Sequence, residues 1–175
     1  MTWAQLISEV IDLRSFSNLW YWIALAVTWS HASHWIIGIP FDMVMRARRM
    51  GGAAEAELED FARLCVNRTL YIAQTAGGSL LAVGSAAYTC LGLLGFYYGI
   101  EIAQAVFLIL FPLSLVALLS TRTASRIARN ADTGAALHKR LSRHRVAVQA
   151  IGVVSILVTA TWGMIQNVNI PVLPN

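Results

Sequence analysis

His31 and His34 are the side chains best equipped for chemistry in this sequence. They lie three residues apart inside LWYWIALAVTWSHASHWIIGIPF, residues 19–41, a run without a single Asp, Glu, Lys or Arg. On a helix that spacing puts both imidazoles at neighbouring positions of one face, where they could ligate a metal or haem iron or relay a proton. An ionisable group in so apolar a run is a functional candidate, because hydrocarbon penalises an unpaired charge. Haem in a four-helix bundle, however, draws its histidines from two helices. The later apolar runs contain none, and His138 and His144 fall in a basic segment. A site built on His31 and His34 therefore needs a partner subunit or ligands from Gln74, Tyr88 or Gln104. The competing expectation is a neutral pair hydrogen-bonded within a packed bundle, with no cofactor.

Nothing else in the chain carries a catalytic pattern. Cys65 and Cys90 are too few for a disulfide framework or a four-ligand zinc site. Ser85 follows Gly84, but no nucleophile motif surrounds it. The expectation is a protein that is not an enzyme.

The basic residues form the second constellation. Of 13 Lys and Arg, Arg46, Arg48, Arg49, Arg63 and Arg68 follow the first apolar run. Arg122, Arg126, Arg129, Lys139, Arg140, Arg143 and Arg145 lie between the third and fourth runs, with Asp132 as their one acidic neighbour. Arginines beside apolar runs point to an anionic membrane surface rather than to nucleic acid. The later cluster is a candidate docking face for anionic lipid or for an acidic partner.

The elements that must position these groups are membrane helices. The chain is 57% hydrophobic and 13% charged, with mean hydropathy +0.60, against about 25% charged residues in a soluble domain. Four spans are expected, at about 19–41, 70–97, 102–120 and 146–165, as two hairpins within one domain, 18–175. The first run, at about 23 residues, makes ~35 Å of helix, enough for a hydrocarbon layer ~30 Å thick. Trp20, Tyr21 and Trp22 at one end and arginines at the other suit its two interfaces. Residues 1–17 read as an amphipathic helix in the interface plane, with Trp3, Leu6, Ile7, Val10 and Ile11 on the apolar side.

Gly51-Gly52 is expected to break the chain between the first span and an amphipathic helix over 53–68, where Glu59 and Arg63 stand at i,i+4. Pro112 should kink the third span. Ala73, Gly77, Gly78, Ala82, Gly95 and Gly99 repeat at four-residue spacing, the pattern that lets membrane helices approach closely. With 12 of the 13 basic residues in the segments 42–69 and 121–145, both should face the cytoplasm and both termini the opposite side.

Three stretches, FSNLWYWIALAVTWSHASHWIIGIPFDMVMRARR, GIEIAQAVFLILFP and LSRHR, resemble a set of small alphaproteobacterial integral membrane proteins identified as components of the SufBCD iron–sulfur assembly complex. The resemblance implies a bacterial inner-membrane setting and a link to iron–sulfur assembly; it carries no catalytic residues with it. The whole reading is an all-α membrane protein that acts as an accessory or assembly subunit of a larger inner-membrane complex. A haem- or metal-binding redox protein using His31 and His34, or a small oligomeric transporter or channel, are the alternatives.

Overall fold

In the computed structural model, Phe16 and residues 18–168 are described, so the amphipathic helix expected over 1–17 lies outside the described residues except for Phe16. Helix α1 covers Leu19–His34, a two-stranded hairpin pairs β1 (Trp35–Ile36) with β2 (Ile39–Pro40), and α2 covers Phe41–Met50. Helix α3 runs over Gly52–Gly92 and continues into one π-helical turn, Leu93–Tyr97. Helix α4 is Glu101–Asn130 and α5 is Gly134–Val168. The described chain is all-α apart from the hairpin. Three of its helices, α3 with its π turn, α4 and α5, are long and apolar enough to cross a membrane.

The expected first span is shorter than its apolar run. The helix starts where Asn18 Oδ1 accepts from the Trp20 N–H at 3.0 Å and stops at His34, because the chain reverses at Ile37 (φ +55°) and Gly38 (φ +84°). Both φ values are positive, as a two-residue primed hairpin turn demands, and a β-branched residue adopts that conformation only under compensation. Ile37 gains it from burial: together with Ile36 and Ile39 it enters a core with Val44, Leu58, Val66, Ala124 and Leu141. Pro40 then fixes φ at −66° and leads into α2. Residues 36–41, assigned to a lipid-spanning helix by their hydrophobicity, are instead a plug in this core.

That core belongs to the arginine-bearing end, where the helix expected over 53–68 is the first part of α3: α2, the first half of α3, the last turns of α4 and the first turns of α5 close around the isoleucine hairpin. Gly51 (φ +59°) and Gly52 (φ +51°) make the expected break between α2 and α3. Arg46 of α2 pairs with Glu57 of α3, and Glu55 of α3 lies 3.6 Å from His138 of α5. Glu59 does not pair with Arg63, which bonds Asp60 at 3.1 Å instead; the Glu59 carboxylate accepts from the Gly134 N–H at 2.7 Å and so caps the positive end of α5. Away from this end much of the apolar surface is uncovered. Along α3 the apolar side chains face outward, Leu81 being 76% exposed and Val83 70% exposed, as expected of a surface whose solvent is lipid.

The helices run antiparallel to their neighbours. Tyr88 of α3 donates to the Leu110 carbonyl of α4, Trp162 of α5 donates to Gln104 of α4, and α1 lies along α5 with Trp22 near Gly163 and Trp29 near Gly152.

Candidate functional site

The side chains that the sequence pointed to first are not joined by further ligands among the described residues. His31 and His34 stand in the last turn of α1, beside the arginine end rather than at mid-span, and both are exposed. Each ring lies against Trp35, with centroids 6.0 and 5.8 Å away, and His34 Nε2 is 4.0 Å from Asp42. Among the described residues no three His, Cys, Asp or Glu side chains converge. Gln74, Tyr88 and Gln104, the ligands that such a site would have needed, belong to α3 and α4, and the last two are bonded to backbone carbonyls there. The Ser85 hydroxyl donates to the Ala82 carbonyl of its own helix.

Of the small residues expected to pack helices, Gly95 meets another helix. A Cβ there would lie 3.0 Å from the Gln104 backbone nitrogen. Gly77 and Gly78 have nothing within 4 Å of where a Cβ would sit, Ala82 is exposed, and Ala73 is half-buried. Gly99 (φ +72°) serves the turn between the π turn and α4. The close helix approach occurs elsewhere, on α5. There Gly152 receives the Trp29 ring, and Gly163 receives Phe16 and Trp22; Ser155 and Thr159 are buried between these glycines. Gly152, Ser155, Thr159 and Gly163 repeat at three- and four-residue steps, a signal present in the sequence but no stronger there than the one on α3.

The basic cluster divides. Arg140 is bonded to Asp132, and the Arg145 guanidinium lies 3.8 Å above the Phe41 ring, a cation–π contact that fastens α2 to α5. Arg122, Arg126, Arg129, Lys139 and Arg143 remain exposed, with no carboxylate partner among the described residues. Arg126 of α4 and Lys139 and Arg143 of α5 line a cavity of about 290 Å³ between those two helices.

His144 forms the wall of this cavity, a role that its place in a basic segment concealed. Thr123 donates its hydroxyl hydrogen to the Leu119 carbonyl at 2.8 Å. Its oxygen, 3.1 Å from His144 Nδ1, must therefore accept from an Nδ1–H, which leaves Nε2 to accept from the Ser120 hydroxyl at 3.3 Å. Burial just ahead of the uncharged stretch pushes the imidazole down to about 4. The ring is a neutral strut between α4 and α5. A Ser–His pair oriented by a hydroxyl, without a carboxylate to stabilise an imidazolium, is poorly suited to acyl transfer.

At the opposite end Gln104 ties three elements. It is buried, donates Nε2–H to the Gly95 carbonyl at 2.8 Å, and its Oε1 accepts from Trp162 Nε1 at 2.9 Å and Gln166 Nε2 at 3.0 Å. The π turn leaves the Gly95 carbonyl without its ordinary helical donor, and Gln104 supplies one.

No protein-family model, curated protein or solved structure matches this chain.

Proposed function

We propose that this chain is a non-enzymatic, integral membrane subunit that docks on a larger bacterial inner-membrane complex through the open small-residue face of α3. The observation that carries this reading is the contrast between two glycine faces. On α5, Gly152 and Gly163 are closed by aromatic rings of α1 and Phe16, whereas on α3 Gly77, Gly78 and Gly84 meet nothing within 4 Å. In lipid, small residues gain their advantage only where another helix comes close. A 41-residue helix bearing such a face uncovered fits one that receives a helix from a partner.

In this reading α1 is the fourth span. Its 16 residues, ~24 Å of helix, lie against the uncharged part of α5. Trp20, Tyr21, Tyr97, Tyr98 and Trp162 then occupy the far interface and the arginine end the cytoplasm, with both termini on the periplasmic side. The link to iron–sulfur assembly rests on the resemblance alone.

The test is purification of the whole chain from its native membrane in a gentle detergent. A stoichiometric membrane partner is expected to accompany it and to be lost in Gly77→Leu/Gly78→Leu, whose bulk would block helix approach. A lone monomer from native membranes, or a partner retained by that variant, would overturn the reading.

A further inference from the structure

The seam between α4 and α5 carries a second feature, independent of the glycine face. Below the cationic cavity lies another, of about 400 Å³, lined by apolar side chains of the same two helices and by Ser155. The two are successive stretches of one groove. On α4, Leu108, Phe111 and Leu115 line the lower cavity and Leu119, Thr123 and Arg126 the upper one, each three or four residues after the last. On α5 the same steps lead from Val158 through Val154 and Ile151 to Ala147, Arg143 and Lys139. Steps of three and four keep residues on one side of a helix, so both rows stay in register along the seam.

The groove is amphiphilic along its length. Its upper part presents Arg126, Lys139 and Arg143, with Arg140 held by Asp132 and no carboxylate in the lining. His144, neutral and fully bonded, lines it as well. A choline or ethanolamine cation would find no acid there, whereas a phosphate would meet three cations from two helices. The lower part offers hydrocarbon-like surface apart from Ser155. From Arg143 to Val158 is a helical rise of ~22 Å, about half of a bilayer that is ~40–45 Å thick with its headgroups. That is the depth of one leaflet.

We infer that the α4–α5 groove is a site for one anionic phospholipid of the cytoplasmic leaflet, its phosphate among Arg126, Lys139 and Arg143 and an acyl chain along Leu115 and Val154. A larger cavity of about 660 Å³ on the other side of Lys139 and Arg143 does not share this character. Glu55 and His138 line it, so an anion there would face a carboxylate. The inference rests on the bilayer setting proposed above but not on a docking partner, so a monomer that holds lipid would sink the partner and leave the groove standing.

The experiment uses the full chain reconstituted in nanodiscs of phosphatidylcholine containing one-tenth phosphatidylglycerol, then extracted into mild detergent for native mass spectrometry and lipid quantification. One phosphatidylglycerol per chain is expected to be retained in preference to phosphatidylcholine. Arg126→Gln/Arg143→Gln should weaken retention about thirtyfold, two basic residues at ~1 kcal/mol each. Leu115→Trp, which fills the groove without touching charge, should also expel the lipid, while Arg48→Gln in the larger cavity should not. Equal retention of phosphatidylcholine, or lipid kept by a folded Arg126→Gln/Arg143→Gln chain, would overturn the inference. So would displacement by inorganic phosphate as effective as by phosphatidylglycerol, which would mean a free-phosphate site without a chain-binding part.

Discussion

At the scale of single residues, His144 and Gly152 show how two helix seams are held. The His144 imidazole is neutral between two hydroxyls and has basic side chains, not acids, around it. Its folded pKa of about 4 lies below the 6.5 of an unperturbed histidine, so the unfolded chain takes up the proton first. The stability this provides is complete above pH ~6.5 and is lost as pH falls toward ~4. Thermal unfolding in detergent should show that loss, and His144→Leu should flatten the profile in this window while lowering stability at neutral pH. Unchanged pH dependence in the variant would refute the neutral strut. Gly152 makes a steric case: a Cβ there would come within 2.8 Å of the Trp29 ring. Gly152→Ala should cost about 1–3 kcal/mol, most of it recovered when Trp29→Leu is added, and a double-mutant cycle measures that coupling directly.

At the scale of elements, the seam near the far interface hangs on one buried amide. Gln104→Leu leaves the Gly95 carbonyl, Trp162 Nε1 and Gln166 Nε2 each short of a partner. A loss of about 2–4 kcal/mol is expected at 1–3 kcal/mol per buried unsatisfied group, with some relief by interfacial water. Amide exchange over 93–100 should rise with it; unchanged protection there would show that the π turn holds itself. None of this was legible in the sequence, where Gln104 was only a distant ligand candidate. The long helices were legible because three uncharged runs leave a lipid solvent as the one economical reading. The end of α1 was not, since Ile36, Ile37 and Ile39 are as apolar as the helix before them. Only Gly38 and Pro40 marked the hairpin, and neither says that the isoleucines turn into a core. The packing glycines failed for a related reason. Gly77 and Gly152 both sit in apolar runs with small residues at three- to seven-residue steps, and what separates them is a tryptophan on a remote helix at the matching height.

At the scale of the whole molecule, burial is concentrated at one end. The isoleucine hairpin, α2 and the adjoining turns of α3, α4 and α5 bury side chains as a water-soluble core does, and they are cross-linked by Arg46–Glu57, Glu55–His138 and the Glu59 cap on α5. The outer half of α3 has little beside it but the surrounding solvent. Such a division predicts where the chain opens first, because local stability follows buried apolar contact. In a detergent micelle, amides of residues 58–66 and 137–144 should be the most protected, and those of 80–92 should exchange earlier wherever detergent admits water. In native membranes with a partner seated on the α3 glycines, protection of 73–84 should rise selectively while that of the arginine end stays as it was. The same division makes the proposed sidedness testable. Single cysteines introduced after Met50 and after Asn130, in a chain cleared of Cys65 and Cys90, should react with a membrane-impermeant maleimide only from the cytoplasmic face, and one after Tyr98 only from the periplasmic face. Labelling of the first two from opposite faces would be incompatible with a single packed arginine end, since α2 and the α4–α5 turn are joined to the same core.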